Sequence, residues 1–214
     1  MNKTILFDLD GTIIDPKDGI VKSYSRALVE LGFGDKVTEE MDWVIGPPLR
    51  KSFAAILPSS KVEDAVALYR SFHAKSGLIE AKIYDDVRSV ISTLAARGHR
   101  LFVCTAKNTP FATKNIEQFE LTHFFEEIYG SHLDGTFDDK AELIAHILAK
   151  HELDAAHTMM IGDREHDMIA ARKNKVVGYG ALWGYGSLTE LTNAGAAQSF
   201  ATPNDFLNFV VSTS

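Results

Sequence analysis

Five short apolar runs, Thr4–Phe7, Arg100–Thr105, Glu127–Tyr129, Thr158–Ile161 and Val176–Ala181, punctuate the chain, and segments of helical period separate most of them. Runs this short and this apolar suit strands covered on both sides, and strands that alternate with helices return parallel through crossovers. The alternation therefore predicts an α/β fold, a parallel sheet with helices on both faces. The chain has 214 residues, of which 45% are hydrophobic, enough to bury such a sheet.

One stretch breaks the rhythm. From about Asp15 to Ala81 no strand-like run occurs, only amphipathic segments such as Gly19–Leu31 and Lys61–His73, punctuated by Gly46-Pro47-Pro48 and Pro58-Ser59-Ser60. This reads as a helical insertion, residues 15–81, in a core made of residues 1–14 and 82–214. The alternation resumes at Tyr84-Asp85-Asp86, where an Asp is expected to cap the helix Val87–Ala96, which stops at Gly98.

Several classes of function are disfavoured by composition. The single cysteine, Cys104, excludes an internal disulfide framework, and its apolar setting reads as strand core. A formal charge of −7 argues against a nucleic-acid polymer as partner. No apolar run approaches a membrane span, and Met1-Asn2-Lys3-Thr4 leads into a short strand without the features of a signal peptide, so the cytoplasm is the expected location. The eight histidines are scattered, with no His-x-x-x-His pair to suggest zinc.

The first run ends in Asp8-Leu9-Asp10-Gly11-Thr12, and open parallel sheets bind ligands beyond the carboxyl ends of their strands. A carboxylate there attacks phosphorus only if a cation offsets its repulsion from an anionic substrate. Magnesium suits that task and favours carboxylate oxygens, so a second acidic cluster is expected at another strand end. Met159-Met160-Ile161 leads into one, Gly162-Asp163-Arg164-Glu165-His166-Asp167. A calcium loop fits poorly, because counting from Asp8 the glycine is fourth, not sixth, and position twelve is Gly19 rather than Glu. Thr105 ends the second run, where its hydroxyl and the following N–H can hold phosphate oxygens, and Lys140, before the helix Ala141–Lys150, can neutralise charge. Alone, each of these residues is as well explained by a turn, a cap or a solvated surface. Two acidic clusters after two buried strands are much harder to obtain by chance.

Together these residues resemble the haloacid dehalogenase-like (HAD) hydrolase superfamily over nearly the whole chain. Its four motifs occur in order: Asp8-Leu9-Asp10-Gly11-Thr12, then Thr105, then Lys140, then Gly162-Asp163 with Asp167 four residues on. The resemblance implies a Rossmann-like core with an inserted α-helical cap domain, and a Mg2+-dependent phosphatase working through an aspartyl-phosphate. It assigns Asp8 as nucleophile and metal ligand, Asp10 as general acid/base with its backbone carbonyl on the metal, and Asp163 as a metal ligand. Asp167 binds the metal through water or stands just behind it. Thr105, Lys140 and the N–H of Ala106 are implied to hold phosphate. The insertion, with Gly46-Pro47-Pro48-Leu49, and the later Gly130–Asp134, Asp138-Asp139-Lys140 and Leu182-Trp183-Gly184-Tyr185-Gly186 are similar to the phosphoglycolate phosphatase and 5'-nucleotidase branch. That branch implies a small-molecule phosphomonoester as substrate. The alternatives are a sugar phosphomutase of the β-phosphoglucomutase kind or a pyrophosphatase.

Asp10 argues against a dehalogenase, which lacks that acid. A signalling receiver domain would carry its phosphoacceptor mid-chain and no insertion. Ala106 stands where the family often has Asn, and Ala141 where Pro is frequent. Arg50, at the end of the stiff turn Gly46-Pro47-Pro48-Leu49, is the candidate contact for an anionic part of the substrate away from the reacting phosphate. His166 reads first as a polar residue on a helix surface and second as a group that tunes Asp163 or Asp167, while Trp183 and Tyr185 are open between packing and a loop near the site.

Overall fold

The computed structural model describes residues 3–78 and 80–213, so Met1 and Asn2 of the amino-terminal segment lie outside the described residues. The chain divides into two compact units, one of Met1–Asp15 with Ile83–Ser214 and one of Pro16–Lys82.

Among the described residues the first unit is built on a six-stranded sheet, whose strands are numbered here in chain order: β1 (Thr4–Phe7), β2 (Arg100–Asn108), β3 (Glu127–Ser131), β4 (Thr158–Gly162), β5 (Val177–Ala181) and β6 (Gln198–Phe200). Across the sheet they run β3-β2-β1-β4-β5-β6, every neighbour parallel. This is the doubly wound order, and the direction of winding reverses beside β1. Phe7 lies opposite both Val103 and Ile161. Asp8 and Gly162-Asp163 therefore emerge side by side at the carboxyl ends of β1 and β4, beside Cys104-Thr105 within β2, and the Asp8 N–H donates to the Ile161 carbonyl at 3.0 Å.

Alternation sets the two faces. Leu6, Phe102, Cys104 and Met160 pack with Leu143, Ile144 and Ile147 of the helix Lys140–Lys150 and with Ala170 and Ala171 of the helix Glu165–Lys173. Phe7 meets Phe125 and Phe206 edge-on at 6.1 and 6.2 Å between ring centroids. Each such fully buried side chain contributes about 1.5–3 kcal/mol. Cys104 is fully buried and its thiol is pushed up to about 12 by that burial, so it is a packing residue.

Several boundaries differ from the sequence expectation. β2 continues three residues past Thr105 to Asn108, β3 runs on to Ser131, and the helix expected from Ala141 begins at Lys140 with Asp139 as its cap. The short edge strand β6 escapes a reading based on apolar runs, because three residues show no usable period. The helix Val87–Ala96 forms as expected, but Asp86 does not cap it: Asp86 sits at φ +64° and its carboxylate accepts from Asn204 Nδ2 at 2.8 Å instead.

The second unit holds the helices Lys17–Glu30, Leu49–Ala54 and Ser59–Phe72, the last continued by a π turn over His73–Gly77. Its interior is aromatic: Tyr24 stacks on Phe53 at 4.1 Å, Phe53 meets Tyr69 edge-on at 6.5 Å, and Tyr69 stacks on His73 at 5.2 Å. Among the described residues no helix is long and apolar enough to cross a membrane.

Candidate active site

The turn after β1 is folded tightly against the turn after β4. Gly11 has φ +83°, and a Cβ there would lie 2.1 Å from Asp163 Oδ2; a Cβ on Gly162 would lie 2.2 Å from Asp167 Cγ. Both glycines are required because carboxylates pack directly on the backbone, and at Gly11 an L side chain is also disfavoured by the dihedral.

Asp8, Asp163 and Asp167 converge at this place. All three are buried, and each offers a carboxylate oxygen within 4.8 Å of the others. Lys140 Nζ lies 3.0 Å from Asp8 Oδ1 and also contacts Asp167 Oδ1, with the lysine itself buried. The second oxygen of Asp167 accepts from the Arg164 N–H at 3.0 Å. Asp163 Oδ2 accepts from the Tyr185 N–H at 2.9 Å, and its Oδ1 faces the Thr12 hydroxyl at 3.4 Å.

The electrostatics follow from that crowding. Burial, then the charges of Asp8 and Asp167, push the Asp163 carboxyl well above the usual carboxylate range. Burial likewise raises Asp167 to about 6, against the pull of Lys140. Burial alone would lower the Lys140 ammonium, but Asp167 and Asp8 outweigh it and hold the group above its ordinary value. Several carboxylates thus share one ammonium group, a charge surplus that a cation would relieve. The donors are all oxygen, so the set fits a hard divalent ion better than zinc or copper.

Asp10 stands apart from that trio. Its carboxylate accepts from Lys107 Nζ at 2.7 Å, with the two side chains 11% and 5% exposed. Burial raises the Asp10 carboxyl, and Lys107 opposes the shift. Thr105 is buried beside this pair, its Oγ1 accepting from the Lys107 N–H at 3.2 Å. The Ala106 carbonyl accepts from Ser131 Oγ at 3.0 Å, which joins the ends of β2 and β3.

Arg50 lies in the helical unit, where its Nε donates to Glu63 Oε1 at 2.8 Å and its Nη2 to Oε2 at 3.3 Å. His166 is half-buried on the helix after β4. Trp183 and Tyr185 both reach this region: Trp183 Nε1 donates to the Thr12 carbonyl at 2.9 Å. Sequence reasoning gave no role of their own to Lys107, Thr12 and Asp15. Lys107 was legible in principle, since it lies two residues beyond Thr105 and a strand prolonged by period two puts both on one face. Thr12 was legible only as the end of the first motif and Asp15 not at all, because what matters is where Asp163 and Tyr185, about 150 or more residues away in sequence, come back to meet them.

The family model described as haloacid dehalogenase-like hydrolase matches residues 5–179, and the chain belongs to that family, among its phosphatases. A 5'-nucleotidase of Pseudomonas aeruginosa is 40% identical over 189 residues, covering 87% of this chain and 86% of that one. The tyrosine-protein kinase PtkA of Mycobacterium tuberculosis is 32% identical over 186 residues, 85% of this chain but 62% of that longer protein. The crystal structure of a predicted phosphatase from Clostridium acetobutylicum superposes with a TM-score of 0.93 at 32% identity, covering 99% of this chain and all of that one.

Proposed function

We propose that the protein is a Mg2+-dependent phosphatase of small phosphomonoesters, with nucleoside 5'-monophosphates as the first class to test. The observation that carries the reading is the buried trio of Asp8, Asp163 and Asp167 with Lys140 Nζ 3.0 Å from Asp8. The 40% identity to a 5'-nucleotidase supports the substrate class. Asp8 and Asp163 would hold the metal with the Asp10 carbonyl, and Asp167 would act through water. When bound, Mg2+ supplies charge that lets two anions meet and orients the transferring phosphoryl group.

Asp8 is the nucleophile in this reading. Its carboxylate oxygen forms a bond to phosphorus as the bond to the leaving oxygen breaks, and the carboxylic acid of Asp10 gives its proton to that oxygen. The raised Asp10 carboxyl suits a group that must hold a proton before it gives it. In the second half Asp10, now a carboxylate, takes a proton from water as the water oxygen attacks phosphorus. Inorganic phosphate leaves and Asp8 is regenerated. Lys140 offsets charge on Asp8 and on the phosphoryl oxygens, while Thr105 and the Ala106 N–H bind those oxygens.

Arg50 is the proposed contact for a second anionic group on the substrate, in exchange for Glu63. Arg50→Ala should then raise KM about tenfold for a substrate with such a group and leave an aryl monophosphate unaffected.

The test is phosphate release from nucleoside monophosphates, phosphoglycolate, sugar phosphates and pyrophosphate, with magnesium and with chelator. Magnesium-dependent turnover ranked by kcat/KM, highest for one monoester class, is the expected result. Undiminished turnover in chelator, or none with any of these compounds, overturns the reading. A preference for pyrophosphate removes the monoester assignment.

A further inference from the structure

The segment after β5, Leu182–Gly186, has no role in the chemistry above, yet it is tied at several points around the acidic trio. The Tyr185 N–H donates to Asp163 Oδ2 at 2.9 Å, and its hydroxyl donates to Asp15 Oδ1. Asp15 is the last residue of the sheet unit before the chain enters the helical insertion. The Tyr84 hydroxyl, one residue after the sheet unit resumes at Ile83, lies near enough for the two hydroxyls to feel one another electrostatically. Tyr84 is fixed in turn, its N–H donating to the Ile13 carbonyl at 3.2 Å. One side chain thus joins the points of exit and return of the insertion, while its own backbone holds Asp163.

The loop has no slack in which to absorb a shift. A Cβ on Gly184 would lie 2.2 Å from the Gly11 carbonyl and 2.5 Å from Asp163 Cβ, and one on Gly186 would lie 1.8 Å from the Asp163 carbonyl. Trp183 donates to the Thr12 carbonyl at 2.9 Å, and the Thr12 hydroxyl faces the other Asp163 oxygen at 3.4 Å. Packed cores transmit displacement instead of damping it, so a movement of the Tyr185 ring reaches its own N–H and the carboxylate that N–H orients.

We propose that Tyr185 is a positioning residue that couples the exit and return points of the insertion, Asp15 and Tyr84, to Asp163, so that the order of those points sets the affinity for a divalent cation. The inference rests on the reading of Asp163 as a ligand. It makes the state of the chain at the root of the insertion felt at the metal.

The experiment is calorimetric titration of magnesium chloride into metal-stripped full-length protein, wild type beside Tyr185→Phe, Asp15→Asn, their double variant and Asp163→Asn. Unfolding midpoints without metal are recorded on the same samples. Tyr185→Phe keeps the ring and the backbone donor and removes only the hydroxyl. It is expected to weaken magnesium binding about three- to tenfold, at or below the low end of effects seen when an outer partner of a metal ligand is removed. Asp15→Asn should weaken it comparably, and the double variant no more than the stronger single, because both act through one hydrogen bond. Magnesium bound by Asp163→Asn as tightly as by wild type, or not at all by wild type, removes the ligand reading itself. If Asp163→Asn loses binding while Tyr185→Phe stays within about twofold of wild type, the coupling is overturned whatever happens to the unfolding midpoint. If Tyr185→Phe fails to fold, Asp15→Asn and Tyr84→Phe decide by the same criterion.

Discussion

In the helical unit charge stays outside and rings fill the inside. Arg50 pairs with Glu63, whose side chain is 68% exposed, while Tyr24, Phe53 and Tyr69 pack together in the interior. At the carboxyl end of the sheet the arrangement is inverted: Asp8, Asp10, Asp163 and Asp167 are buried, with Lys140 buried among them and the Lys107 side chain closing over Asp10. An exposed pair such as Arg50–Glu63 contributes about 0.2–1 kcal/mol. Each buried ion instead carries a desolvation cost of about several kcal/mol, which its partners here offset only in part, since burial and like charge still raise Asp163 and Asp167. The two regions show where stability was gained and where it was given up, and the second is where chemistry is to be sought.

The sharpest way to break that contrast is one substitution in each region. Asp8→Asn should reduce turnover at least about a thousandfold, because an amide is neither a nucleophile towards phosphorus nor a good ligand for a hard cation. The same change should leave the metal-free unfolding midpoint unchanged or higher, because it removes a like charge from Asp163 and Asp167. Phe53→Ala should do the reverse, costing about 3–5 kcal/mol for a fully buried ring. Phosphate release and thermal unfolding on both variants check this. A destabilised Asp8→Asn would mean that the buried carboxylates hold the fold together.

The contrast also explains what was legible beforehand. Thr4–Phe7 and Thr158–Ile161 are short apolar runs with Asp one and two residues after, and a parallel register leaves those Asp residues no place except the shared end of the sheet. Lys107 and Tyr185 were not legible in the same way. Their partners, Asp10 and Asp15, are set by side-chain reach and loop return, which no local period encodes. In the helical unit the helices were readable from their period, but the Arg50–Glu63 pair, thirteen residues apart across two helices, depends on how those helices pack.

A medium-sized effect is expected at Lys107, whose ammonium fixes Asp10 at 2.7 Å. Lys107→Met keeps the length of the side chain and removes the hydrogen bond. If Asp10 delivers the proton to the leaving oxygen, its misplacement should lower kcat about ten- to a hundredfold for an alkyl phosphate, and much less for a nitrophenyl phosphate, which departs without protonation. Arginine at the same position should restore part of the alkyl rate. Equal losses on both substrates would assign Lys107 to phosphate binding and not to the placement of Asp10.

The smallest effect concerns pH and the metal-free protein. Asp167 is raised from an ordinary 3.8 to about 6, and Asp10 and Asp163 are raised in the same direction, chiefly by burial. A carboxyl group whose folded-state value is raised favours the folded form while protonated. Its contribution is complete below about pH 4 and is lost as pH rises through about 6. Metal-free protein should therefore unfold at lower temperature at pH 7 than at pH 5, by about 2–4 °C for each kcal/mol lost in a chain of this size. His99 works the other way over part of this interval, because burial lowers its value and the neutral form is favoured as pH rises. Asp167→Asn separates the two: it should flatten the fall and leave the opposing rise from His99. Magnesium should narrow the difference between pH 5 and pH 7, since a bound cation favours the ionised carboxylates that the empty trio disfavours. A metal-free midpoint that rises from pH 5 to pH 7 in wild type and is unaltered by Asp167→Asn would show that the buried carboxylates are balanced within the fold, and the contrast between the two units would lose its energetic basis.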